Sequence, residues 1–438
     1  MNTYFKNILL ASSVVLLSAA CDSRLDVQPT QSIDESTALA TEQDINVTLV
    51  GAYDGMSSVN LFGGAFQYYG DLLGDDREVV FGGTFTTLDE IWRKTITAGN
   101  GQTTATWTSA YNTINRVNNV LSALDKVSAA NKNSVEGQAR IIRGAIYFEL
   151  VKLFGKTWGD GDNGSNPGVP LVLTPTRAVT DEDYKARNSV AEVYAQVIDD
   201  LTKGEQLTKS PIAAALLSRV YLMQGNSASA RDAANRVIAS GEYELEADFA
   251  SAFVDGNVET IFGVIVTDQD GSNAMNTYYA SSLNQGRGDI RVQSKHLALY
   301  EAGDIRGKFF NTSNAGSRTF TSKFNDRFGD VPVVRLAEMY LTRAEANFRL
   351  GTTVGAAPLA DINMIRSRAG LAALASLTLA AIQKERKLEL AFEGQQVYDI
   401  KRNKGVVGAT PFNSNNLVLP LPQREIDTNK KLVQNPGY

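Results

Sequence analysis

Residues 334–350 read VRLAEMYLTRAEANFRL, stop at Gly351, and lead into a second patterned run from Pro358 to Ala369. Leu336, Met339, Tyr340 and Ala344 recur at three- and four-residue spacing, the period of one face of an α-helix. A glycine closing one run and a proline opening the next are helix stop and start signals. The two runs therefore predict an antiparallel helix pair. Upstream, Val190 to Leu207 is followed by Pro211 to Met223, a Gly225-Asn226 stop, and Ala228 to Ala239. Small side chains at Ala213, Ala214, Ala215, Ala230, Ala233, Ala234, Ala344, Ala346 and Ala360 let such helices approach closely, as in tetratricopeptide-like hairpins. No strict period of about 34 residues runs through the chain, so the pattern predicts helix pairs and not a regular solenoid.

The helical period extends outward from these pairs, beginning at about Asp44. Trp107, Tyr111, Ile114, Val117, Val120, Leu121 and Leu124 make one core-facing stripe, and Ile141, Ala145, Phe148, Leu150, Val151 and Leu153 another. Trp107 and Tyr111 are read as packing residues. Residues 60–90 (rich in Gly, Phe, Thr and Tyr) and 255–295 (rich in Asn, Gly, Ser and Tyr, around the strand-like Thr260–Val266) interrupt the helices. Irregular segments on a rigid scaffold commonly carry binding surfaces. The expectation is a mainly α protein: tetratricopeptide-like helix pairs in one large domain, with long irregular loops and a few short strands. The mixed charge run Lys384-Glu385-Arg386-Lys387 is expected to be a solvated helix face.

Composition removes several chemistries. A chain of 438 residues with 43% hydrophobic side chains can bury a large core. A net charge of −6, with no run of Lys and Arg, argues against a nucleic-acid partner. One cysteine and one histidine allow no internal disulfide and no zinc site built from Cys and His ligands. His296 lies in an apolar stretch and reads as a packed helical histidine. The Asp/Asn/Gly-rich Lys156–Gly168 stretch fails as a calcium loop, because counting from Asp160 places Leu171 where the twelfth position needs Glu. A surface turn is expected there, with no metal and no cofactor.

The amino terminus predicts the compartment. Lys6, the apolar run Ile8–Leu17, and Ser18-Ala19-Ala20 before Cys21 have the layout of a signal peptide, residues 1–20, cut ahead of a lipid-carrying cysteine. Ser18 stands where the usual lipoprotein pattern prefers Leu. Multiple acyl chains on Cys21 would hold the protein firmly at a membrane, since each buried CH₂ contributes about 0.8 kcal/mol.

Several blocks in order resemble the SusD/RagB family of outer-membrane nutrient-uptake lipoproteins. They are Gln138–Val151, Arg219–Leu222, Asp330–Ala346, Ile362–Gly370, Glu385–Gly394, Tyr398–Arg402, Leu419–Asn429 and Gln434–Tyr438. The resemblance runs from Cys21 to Tyr438, with an amino-terminal half at about 22–210 and a carboxy-terminal half at about 211–438. It departs at Lys156–Gly168, where the family moves sooner to a Val-Pro-Leu turn. It implies a cell-surface, lipid-anchored outer-membrane protein that binds an oligosaccharide or other nutrient without cleaving it. It also implies a partner, a SusC-like TonB-dependent outer-membrane transporter that the protein covers as a lid.

Charges in the family blocks, such as Arg335, Glu338, Arg343 and Glu345, alternate with core positions and read as scaffold ion pairs. Sugar binding needs aromatic rings for the C–H faces and polar groups for the hydroxyls. By analogy with the family, the ligand contacts are sought in the irregular segments: Tyr68, Tyr69, Asp71, Arg77 and Trp92, and Asn276, Tyr278 and Tyr279. The rival readings are a secreted α-helical glycoside hydrolase, whose carboxylate pair would stand roughly 5–9.5 Å apart, and a helical-repeat scaffold that binds proteins only.

Overall fold

The computed structural model describes residues 39–177, 179–313 and 316–438. The expected signal peptide, residues 1–20, and the expected lipidation site Cys21 lie outside the described residues. Helix α1 (Glu42–Ser57) opens on a reciprocal cap in which the Thr41 hydroxyl accepts the Asp44 N–H and the Asp44 carboxylate accepts the Thr41 N–H. Two short helices follow, α2 (Ala65–Gly74) and α3 (Thr86–Arg93). Long helices α4 (Gly101–Ser122) and α5 (Lys132–Phe154) carry the two predicted stripes. Helix α1 packs on α4, and α5 packs on α6 (Val190–Thr208).

The predicted pairs are present. Helix α7 (Pro211–Gln224) starts on a proline and ends at Gly225, whose φ of 72° is the left-handed cap a side chain would resist. It packs on α8 (Ser227–Ser240), and α8 in turn on α11 (Leu336–Leu350), after the short α9 (Ala274–Tyr279) and α10 (Ser294–Leu297). Helix α11 pairs with α12 (Pro358–Arg368), and α13 (Leu379–Glu389), α14 (Gln396–Arg402) and α15 (Gln423–Thr428) complete the set. No described helix is long and apolar enough to cross a membrane.

The strands are short. An antiparallel sheet has the order β1 (Val79–Phe81), β3 (Ile290–Val292), β5 (Thr319–Thr321), β4 (Phe310–Thr312). Strand β2 (Thr260–Val264) pairs with β6 (Val331–Arg335), and β7 (Val406–Val407) with β8 (Thr410–Pro411). The helix expected from Val334 therefore begins two residues later. Val331, Val333 and Val334 are β-branched and Pro332 has no N–H, so this run favours a buried strand over a helical turn.

Family-block charges form a buried ionic network. Arg335 is fully buried and reaches Glu259 at 2.6 Å, Glu393 at 2.7 Å and Glu389 at 3.1 Å. Glu338 accepts from Arg219 at 2.6 Å and Arg386 at 3.0 Å; Glu345 from Arg402 at 2.7 Å; Asp361 from Arg343 at 2.7 Å. Burial alone would raise the Glu389 carboxyl, but Arg368, Arg335 and Arg306 outweigh it and hold it at about 2. The 384–387 run is not a solvated face: Glu385 and Arg386 are buried, and only Lys384 is exposed. Arginine supply from neighbouring elements is what admits these charges to the interior. His296 is packed as expected, with Nδ1 2.9 Å from Glu78 and Nε2 3.1 Å from the Tyr300 hydroxyl.

Candidate functional site

Helix α2 organises the site although its whole length is buried. Its glycines allow this. A Cβ at Gly70 would overlap the Gly394 carbonyl, and one at Gly74 would press on Val397, so two helical turns lie directly against the chain leading into α14. Tyr68, Asp71 and Asp75 follow one another along the helix, about one turn apart. The Tyr68 ring meets Tyr278 edge-on at 5.0 Å. Asp71 accepts the Tyr279 hydroxyl at 2.6 Å and the Gly394 N–H at 3.0 Å. Burial pushes the Asp71 carboxyl up to about 7 against the pull of these donors. Asp75 accepts the N–H groups of Glu78 and Val79 on Oδ1, and the Trp92 indole N–H on Oδ2 at 2.8 Å.

Trp92 is thereby fixed on the wall of an open groove of about 840 Å³, bounded by Asp75–Arg77, Trp92–Thr95 and Gly408-Ala409. Arg77 adopts a left-handed backbone and projects an 87% exposed side chain. Lys94 donates to the carbonyls of Asp75 and Trp92, both at 3.1 Å, and burial lowers its ammonium against the pull of Asp75 and Asp76. Arg93 lies 5.0 Å from the centre of the Trp92 ring. Asp76 is engaged by Lys295 at 2.6 Å. At the other end of α3, Phe85 is 39% exposed, sits 6.1 Å from Tyr278 and carries the Arg287 guanidinium 4.6 Å above its ring.

Three of the expected contacts, Arg77, Trp92 and Tyr278, reach the surface. The other five do not. Tyr68, Tyr69, Asp71, Asn276 and Tyr279 are buried: Tyr69 bonds Thr106 at 3.1 Å, and the Asn276 amide donates to the Phe324 carbonyl at 2.9 Å. Their segments were expected to be irregular because they are rich in glycine and asparagine, yet the glycines of α2 serve close packing and Asn276 staples loops. Phe85, Arg93, Lys94 and Arg287 were not singled out. The sequence signal for Phe85 was an aromatic directly after the Gly82-Gly83-Thr84 turn, a position with no helical stripe to claim it. No cluster of three or more His, Cys, Asp and Glu able to hold a metal occurs among the described residues.

Fold and groove together define a class: a tetratricopeptide-like helical scaffold with an open polar groove beside Trp92. Residues 273–416 match the SusD family, and residues 24–222 match a family described as starch-binding and associating with the outer membrane. SusD-like protein P2 of Formosa agariphila is 26% identical, over 97% of this chain and 98% of its own length. A SusD superfamily protein of Bacteroides thetaiotaomicron superposes with a TM-score of 0.81 at 25% identity, over 90% of this chain and 100% of that one. Surface glycan-binding protein A of the same species, solved with laminarihexaose, shares the fold: TM-score 0.75, 20% identity, 90% of this chain and 99% of that one. The chain belongs to the SusD/RagB family.

Proposed function

We propose that the protein captures an oligosaccharide on the face that runs from Trp92 to Tyr278 and passes it to a SusC-like TonB-dependent transporter, without cleaving it. The observation that carries this reading is the groove at Trp92, whose indole is locked by Asp75 and ringed by Arg77, Arg93 and Lys94. A ring held in one orientation stacks on a sugar without paying rotamer entropy on binding, and the Arg77 and Arg93 guanidiniums beside it donate to hydroxyls. Asp75 and Asp76 are both engaged by protein donors, an arrangement suited to shaping a surface rather than to acid–base work. The names of the family and of its relatives support a glycan as ligand and the outer membrane as the place. Cys21 would supply the lipid anchor. Affinity is expected on the order of micromolar or weaker, because an open groove buries little of each sugar.

Polysaccharide-loaded native gels test capture. The wild-type chain should be retarded by at least one polysaccharide, and Trp92→Ala should migrate freely with an unchanged circular dichroism spectrum. Equal retardation of the variant would remove Trp92 from the site, and release of reducing sugar from the retained polymer would favour the hydrolase. Membrane fractions of cells expressing Cys21→Ser test the anchor, which predicts release of the protein into the soluble fraction.

A further inference from the structure

We infer that helix α2 is a ruler: by fixing Tyr278 at one level and Trp92 about two turns further on, it sets a minimum ligand of three linked sugars. The inference rests on the capture reading above.

Tyr68, Asp71 and Asp75 stand at i, i+3 and i+7, which places them on one face of the helix. From that face Tyr68 backs the Tyr278 ring, Asp71 ties down Tyr279 next to it, and Asp75 holds the Trp92 indole. Seven residues of rise separate the levels of Tyr68 and Asp75 by about 10 Å. Helix α3 packs on α2 and repeats the interval, with Phe85 just before its first turn and Trp92 in its last. On this reading the Tyr278 and Trp92 contacts stand about 10 Å apart, the axial interval of their supports. One pyranose ring is shorter than this interval, so it covers one contact only. Two linked rings stacked on both contacts would have to be stretched apart. A third sugar between them lets the outer two lie flat.

Asp75 is a positioning residue, since it acts on the ligand only through Trp92. Its two oxygens accept from opposite sides, Oδ1 from the Glu78 and Val79 N–H groups and Oδ2 from the indole. An amide cannot accept on both sides. Asp75→Asn therefore keeps the turn and points an N–H₂ group at the indole N–H, which frees the ring while the helix stays in place.

The test titrates the full chain with a size-graded series, one to six sugars, cut from the polysaccharide retained in the gel assay. Wild-type affinity should rise about tenfold or more between two and three sugars and change little beyond four. Trp92→Ala and Tyr278→Ala should each erase the step. Asp75→Asn should weaken the trisaccharide by roughly three- to tenfold, the effect of one unfixed side chain, and leave the disaccharide within about twofold. A general folding defect would lower both equally. A flat length profile in the wild type, or an Asp75→Asn protein with the step intact, overturns the ruler and leaves capture standing. Retention of no polysaccharide overturns both.

Discussion

Arg335→Leu should be among the most damaging single changes in the chain. The guanidinium is fully buried and faces Glu259, Glu389 and Glu393. Leucine fills much of the volume but leaves Glu259, Glu389 and Glu393 to share Arg368, Arg306 and Lys323, one positive charge fewer. Removal of one partner of a buried pair costs about 3–5 kcal/mol where the other charge is stranded, an upper bound here because each carboxylate keeps one cation. That is a large fraction of the roughly 5–15 kcal/mol by which domains are stable. The sign with pH follows from the carboxyls. In the wild type Glu389 and Glu338 are held at about 2, below an unfolded value near 4.3, so their stabilisation is full above about pH 4.5 and is lost as pH falls toward 2. In the variant Glu389 and Glu393 lose a counter-charge and titrate higher than in the wild type, so the deficit should be largest at neutral pH and shrink as acid protonates them. Urea unfolding at several pH values measures this, urea being uncharged, and Arg335→Lys should fall between the two. A deficit under about 1 kcal/mol at neutral pH, or one that does not shrink as the pH falls toward about 3, would refute loss of counter-charge as the cause.

Three other outcomes follow from single contacts. Gly70→Ala drives a methyl into the Gly394 carbonyl, where backbone meets backbone and neither can turn away; about 2–4 kcal/mol of stability should be lost in thermal melts. Lys401 is buried with its ammonium on the Leu417 carbonyl at 2.6 Å, and burial, with Lys152 adding, lowers it to about 7. The unfolded chain holds that proton up to about pH 10.4, so wild-type stability should climb between pH 7 and 10, and Lys401→Met should be the more stable by about 1–3 kcal/mol at pH 7 with the advantage fading by pH 10. Tyr279→Phe leaves Asp71 with the Gly394 N–H alone and should cost about 1–3 kcal/mol above pH 7, where the carboxylate is charged, and less at pH 5.

Much of the fold is legible in the sequence because helix boundaries are written in local chemistry. Pro211 and Pro358 open helices, and Gly225 and Gly351 close them within a residue of the expected ends. Helix period and cap residues depend on neighbours in the chain, which a single sequence displays. The misreadings share one cause. Whether Val331–Arg335 is strand or helix depends on β2, some seventy residues away, and whether Glu385 and Arg386 face water depends on arginines and carboxylates from other elements. The site suffered most from this. Glycines at 70 and 74 mark a loop in most contexts, but here they mark a helix pressed against another backbone, so Tyr68, Tyr69 and Asp71 stand behind the surface instead of on it. Arg77 and Trp92 do reach the surface, since a bulky or charged residue beside a turn has few interior places to go.

The charge network and the ruler meet at two adjacent residues. Glu393 turns its carboxylate to Arg335 and Lys323, while the next N–H, that of Gly394, points the other way and donates to Asp71. Gly394 holds a φ of +77°, and a side chain there would strike Gln67 of α2. This one peptide therefore has its position set from both sides, by ion pairs that tolerate no rotation and by a helix with no space to yield. A hydrophobic contact in its place would slide by fractions of an ångström at small cost, whereas a forked guanidinium bond loses direction and energy together. On the ruler reading, this ionic packing beside α2 is what holds the spacing of the rings at the surface.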